Sequence, residues 1–226
     1  MLPCDLLDAE AQMLEAVLAA LQSSQRGSWS LELRFEGLRL LPIALRLTTA
    51  LRQKDGSLRL LCSDMGATAL ARRDAPELAE SIASFGDQRK LQADQASEGV
   101  LLLLGAAQAD YELVEALCTA HNGPVLLLNP ALEDAAVGIG SVARQRRKGF
   151  LARWETAYAV IPQGESALRR AFPGPWELYR LDSDGYRQVA SFERRPDGEQ
   201  QAEALGASAL QGNLRALGEL IDGLQK

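Results

Sequence analysis

The sequence predicts an α/β protein: a parallel sheet core in three layers, Rossmann-like, extended by an antiparallel hairpin near the carboxyl end. Two observations carry that prediction. "LRLLCS" (58–63), "GVLLLLGAA" (99–107) and "PVLLLNP" (124–130) are short, nearly continuous apolar runs, the pattern of strands buried on both faces. Helical patterns lie between them, and strand–helix–strand repeats of this kind fold as right-handed βαβ units. A third observation sets the extension: "WETAYAVIP" and the stretch from Trp176 to Phe192 alternate and are joined by tight turns, so they are expected to be antiparallel at one sheet edge.

The elements follow in order. Asp5 to Gln22 reads as an amphipathic helix with Leu7, Leu14, Val17, Leu18 and Leu21 on one stripe. "SSQRGS" breaks it, and "WSLELRF" then alternates as a half-buried strand. A helical run covers Leu40 to Gln53 and stops at "KDGS". After the strand at 58–63, "GATALARR" starts a helix behind Asp64. Residues 74–98 are polar and poorly periodic; a helix, a short strand and a loop fit them. "DYELVEALCTA" is a helix with Asp110 as its expected N-cap, and another helix is expected around Ser141 to Arg153. Residues 1–198 therefore form one α/β domain. Residues 199–226 form a carboxyl-terminal helix, packed on the domain or binding a partner. Its Leu210, Leu214, Leu217, Ile221 and Leu224 step by four and three, yet Gly206, Gly212, Gly218 and Gly223 interrupt the stripe.

Composition narrows the function classes. Of 226 residues, 47% are hydrophobic and 24% charged, as in ordinary globular chains. The net charge of -6 argues against a nucleic-acid partner. The charge is uneven. Ser141 to Arg195 holds 11 Lys/Arg against 6 Asp/Glu, leaving 13 against 24 elsewhere, and 8 of the 12 aromatic residues lie between Phe150 and Phe192. One basic, aromatic segment thus sits in an acidic protein. Cys4, Cys62 and Cys118 are far apart, with no CxxC pair, and read as reduced thiols. The start "MLPCDLLDAEAQ" lacks a basic n-region, and no apolar run reaches the roughly 18 residues of a membrane span.

Ligands of an open parallel sheet gather beyond the carboxyl ends of its strands. That places Asp64, Asp110 and Asn129 as candidate crevice groups, with Gly66 allowing tight backbone. "GIGSVA" (138–143) loosely fits a dinucleotide fingerprint, but it lies about nine residues past its strand and in the last unit. No cofactor is expected. What remains is a glycine turn, Gly138 and Gly140, leading into a helix that begins a candidate anion site with Arg144 and Arg147. Arg146 and Lys148, with Trp176, Tyr179 and Tyr186, are candidate partner-binding residues. The same basic helix also fits a solvated face. The chain has no Walker motif, no G-x-S-x-G elbow and one histidine, His121, so a metal centre or a Ser-His-Asp machine is not expected. No catalytic residue is assigned, and the enzyme question stays open, leaning to a protein that is not one.

Three blocks in order carry a family resemblance: "DMGATALARRD" (64–74), "PVLLLNPALEDAAVGIGSVARQRRKGFLARWETAYAV" (124–160) and "FPGPWELYRLDSDGYR" (172–187). Together they resemble the uncharacterised-domain family of cyanobacteria and chloroplasts that includes the plant low photosystem II accumulation protein; the domain also occurs fused to a chloroplast adenylate kinase. The resemblance covers about residues 5–195. It implies an accessory factor for photosystem II assembly, in the cytoplasm or peripheral on the cytoplasmic face of the thylakoid. Its partners would be photosystem II subunits or assembly factors, with the anionic membrane surface as a further contact. The family brings no catalytic residues to these positions. The alternative is a nucleotide- or phosphometabolite-binding module or enzyme using the crevice at the strand carboxyl ends.

Overall fold

The computed structural model describes residues 1–24, 26–54, 57–132 and 149–206. Among them, one nine-stranded sheet runs in the order β3-β2-β4-β5-β1-β6-β7-β8-β9. Its parallel part comprises β1 (Ser28–Leu33), β2 (Leu58–Cys62), β3 (Ile82–Ser84), β4 (Val100–Leu104) and β5 (Val125–Leu128), and β6 (Glu155–Pro162) joins it parallel to β1. β7 (Ser166–Ala171), β8 (Trp176–Asp182) and β9 (Gly185–Phe192) continue it as an antiparallel meander. The α/β class expected from the apolar runs is the one observed.

Register explains why those runs are apolar throughout. Ile82, Leu60, Leu102, Leu126 and Trp29 are lateral neighbours across five strands, and they join the core on one face. Leu61, Leu103 and Leu127 make the corresponding row on the other. Each such leucine contributes about 1.5–3 kcal/mol by leaving water. The first face is covered by α1 (Leu6–Ser23), α2 (Leu40–Arg52) and α3 (Met65–Asp74); the second packs against α4 (Phe85–Asp94) and α5 (Tyr111–Thr119). These are the three layers.

Several elements depart from expectation. In α1 the fully buried residues are Ala9, Met13, Ala16, Val17 and Ala20, whereas Leu14, Leu18 and Leu21 flank them half-buried and Leu7 is exposed. A row of alanines with Met13 and Val17 faces the sheet, and the leucines splay to either side. β6 is antiparallel to β7 only, since its other neighbour is β1 in parallel. β7 was not expected: adjacent Arg169 and Arg170 spoil its alternation, and only the tertiary partners described below make Arg169 tolerable. Asp110 does not cap α5. Its carboxylate turns back to accept the Ala107 N–H at 2.8 Å. The stretch 74–98 resolves into a 3-10 turn (Pro76–Ser81), β3 and α4, with Ser84 capping α4. Of the helix expected at 141–153, residues 151–153 form a single 3-10 turn and 141–148 lie outside the described residues.

Residues 198–206 are helical, with Ala204 and Leu205 packed against the meander cluster of Ile161, Leu168, Trp176 and Leu178. The leucine stripe from Leu210 onward, with Gly212, Gly218 and Gly223, lies outside the described residues.

Candidate functional site

Asp64 caps α3: its side chain accepts the Ala67 N–H at 2.8 Å, and that bond holds its carboxyl below the usual range. Gly66 sits in the first turn of the same helix, close to the Asp64 carboxylate. Asn129 closes the sheet where β5 meets β1. It adopts φ 49°, its Oδ1 accepts the Leu33 N–H at 2.6 Å, and its Nδ2 donates to the Leu33 carbonyl at 2.6 Å. The amide thereby continues the β1–β5 ladder past its last residue, where a crevice would otherwise open. β2 and β5 are separated by β4, so Asp64 and Asn129 do not converge. Gly138, Gly140, Arg144, Arg146, Arg147 and Lys148 lie outside the described residues.

The aromatic candidates divide. Trp176 and Tyr179 are each 4% exposed. Trp176 belongs to the meander core and lies under the Arg195 guanidinium, 5.2 Å from its ring centre. Arg195 in turn binds Glu32 at 2.8 Å. Tyr179 donates to Glu177 at 2.9 Å, and Glu177 also receives Arg169 at 2.7 Å. Arg169 reaches Gln12 of α1 at 2.9 Å, so this cluster ties the first helix to the meander. Burial pulls the Glu177 carboxyl upward, but the bonds from Arg169 and Tyr179 outweigh it and hold the group below its ordinary value. Burial, and then the Glu177 carboxylate, pushes the Tyr179 hydroxyl up to about 12. Both rings expected at a docking surface therefore serve the core. Tyr186 alone of the three is exposed, at 44%. Among the described residues of the basic segment, Arg180 pairs with Asp182, and Arg187 with Asp182 and Asp184.

Tyr186 lines an apolar groove of about 360 Å³ with Leu2, Leu6, Phe35, Leu38 and Pro162. It lies past the carboxyl ends of β1 and β6, beside the start of α1. Leu6 and Leu181, the cross-strand neighbour of Tyr186, are also exposed. Sequence reasoning missed this groove. Its signal was "RFEGLRLL", where Phe35 and Leu38 are apolar residues in a polar connection.

A second cavity, about 600 Å³, opens at the opposite ends of the strands, where Ser28, Val125 and Glu155 begin β1, β5 and β6. Arg26, Trp29, His121, Arg153 and Phe172 line it. Trp29 is 4% exposed, and its indole N–H has no acceptor among the described residues, a state that costs about 1–3 kcal/mol. His121 is buried. Its Nε2 donates to the Gly99 carbonyl at 2.9 Å, which leaves Nδ1 to accept from Ser97 Oγ at 2.8 Å. Ser97 accepts from Gln88 at 3.0 Å, and Gln88 from Arg59 at 2.8 Å. Burial lowers the His121 pKa despite these bonds. The serine–histidine distance would suit a catalytic dyad. However, Ser97 is 5% exposed and no carboxylate orients the ring, so the chain of bonds is structural. Burial also pushes the Cys118 thiol beside this cavity up to about 12, which makes it a poor nucleophile at neutral pH. Among the described residues no cluster of three or more His, Cys, Asp or Glu could hold a metal ion.

The protein is thus an α/β sheet protein with a cavity at each end of its parallel strands and no assembled catalytic constellation among its described residues. Residues 3–203 match the family model for a domain of unknown function, DUF1995, and the chain belongs to that family. No curated protein matches it. Among solved structures, the C-terminal domain of a possible DNA helicase from Lactobacillus plantarum WCFS1 is similar over 65% of this chain and 95% of that one, at 9% identity and a TM-score of 0.35. No helix among the described residues is long and apolar enough to cross a membrane.

Proposed function

We propose that this protein is an accessory factor that works by holding another protein, with the groove around Tyr186 as its docking site. The observation that carries this reading is the groove itself: an apolar cleft flanked by exposed Leu6, Leu181 and Tyr186, a grouping that solvent alone does not favour. Its volume suits one or two anchor side chains, as at the centre of a protein interface. The resemblance described above supplies the partner class: subunits or assembly factors of photosystem II, met at the cytoplasmic face of the thylakoid, with the basic segment near the anionic surface. A ligand-binding crevice at the strand carboxyl ends has less support, because Asp64 and Asn129 spend their polar atoms on backbone.

The test is affinity purification of the tagged chain from a photosynthetic host with thylakoids intact, at low and high salt. Photosystem II subunits should co-purify, and Tyr186→Glu should release them without lowering the melting temperature. Absence of any photosystem subunit at low salt, or full retention by Tyr186→Glu, would refute the proposal.

A further inference from the structure

We propose that the cavity at the amino ends of β1, β5 and β6 binds a small organic anion, a phosphate ester or a carboxylate. Its volume of about 600 Å³ is that of a small-molecule site. Arg26 and Arg153 line it from separate parts of the chain, with Glu155 the single acidic lining residue. His121 adds no charge, because its two ring nitrogens are engaged in the neutral tautomer. Arg26 is positioned by donating to Asn122 Oδ1 at 2.9 Å, and the Arg153 guanidinium lies 5.6 Å from the Phe150 ring centre. Held arginines are the groups that bind phosphate and carboxylate with several parallel donors.

The Trp29 indole N–H is an independent pointer. It is buried in the cavity wall with no acceptor among the described residues. A side chain at position 27 would collide with it, so only glycine lets the N–H edge of the ring pack this close to the backbone there. A donor without an acceptor, beside two cations, calls for a ligand made of acceptors. The organic part of the ligand rests on one aromatic patch in an otherwise polar wall, where Phe172 meets Trp29 edge to face at 4.9 Å between ring centres. This site lies at the other end of the strands from the Tyr186 groove, so each reading fails or survives alone.

The test is a set of amide and indole NMR titrations of the full chain with inorganic phosphate, citrate and AMP. Trp29→Phe keeps an aromatic ring, removes the N–H and so assigns the Trp29 indole signal. If that variant does not fold, the signal is assigned by its proximity to Phe172. Citrate or AMP should shift the Trp29 indole and Gly27 saturably, leave the Trp176 indole unmoved, and bind about tenfold more weakly to Arg26→Gln and to Arg153→Gln. The inference is overturned if none of the three titrants moves the Trp29 indole at millimolar concentration. It is overturned equally if all tryptophan signals drift together without saturation, or if both arginine variants bind unchanged. Inorganic phosphate binding as tightly as citrate and AMP would remove the organic part of the claim.

Discussion

Replacing Asn129 by alanine tests whether this strand-end residue is a ligand group or a fastener. The substitution deprives the Leu33 N–H and C=O of their 2.6 Å partners, and Leu33 is 1% exposed. An unsatisfied buried backbone group costs about 1–3 kcal/mol. Alanine must also hold φ 49°, a left-handed conformation that costs about 1–2 kcal/mol outside glycine and asparagine. Because Asn129 is only half-buried, water can reach part of the gap, and the lower ends of these ranges apply: about 3 kcal/mol in all. Asn129→Gly removes the conformational part and should be milder by about 1 kcal/mol. Asn129→Asp keeps the acceptor but sets a carboxylate oxygen against the Leu33 carbonyl. It should therefore be less stable at neutral pH than at a pH where the acid is protonated. Urea denaturation reads all three as shifts in midpoint at constant slope. A cost below about 1 kcal/mol for Asn129→Ala, or equal costs for alanine and glycine, would refute the fastener role and return the amide to the pool of ligand groups.

Two further outcomes follow from the titratable groups. His121 is held neutral, with its pKa lowered by burial, so the unfolded chain takes up its proton first as pH falls. Stability should be flat above about 6.5 and decline below it, and His121→Gln should flatten the decline; a wild-type profile level down to pH 5 would contradict this. The thiols should separate as well: exposed Cys4, raised by the Asp5 carboxylate, should react first with a disulfide reagent at pH 8, half-buried Cys118 more slowly, and buried Cys62 only on unfolding. Stopped-flow labelling with and without denaturant checks this, and rapid reaction of all three in the native state would be the contrary result.

The sheet core was legible because its information is local. An apolar run such as Val100–Leu104 states in one dimension that both faces are covered, and the intervening helices then fix parallel pairing. Asp64 was legible for the same reason, since an N-cap acts within its own turn. Its role was not, because a capping carboxylate and a ligand carboxylate look identical in sequence.

What the sequence by itself determined is the α/β class, the order of the parallel strands along the chain and the antiparallel character of the last ones. Only the tertiary structure decided which polar and aromatic groups were left over for binding. Arg169 in β7 is received by Glu177 and Gln12, partners 8 and 157 residues away in sequence. Trp176 lies inside with Ile161, Leu168 and Leu178 under Arg195, and Tyr179 lies inside with its hydroxyl donated to Glu177, whereas Tyr186, in the same hairpin, stayed out. The two cavities joined residues from opposite parts of the chain, Leu2 with Tyr186 and Arg26 with Arg153. Such assignments are settled by desolvation and long-range pairing, quantities that a side chain acquires only from neighbours the fold brings to it.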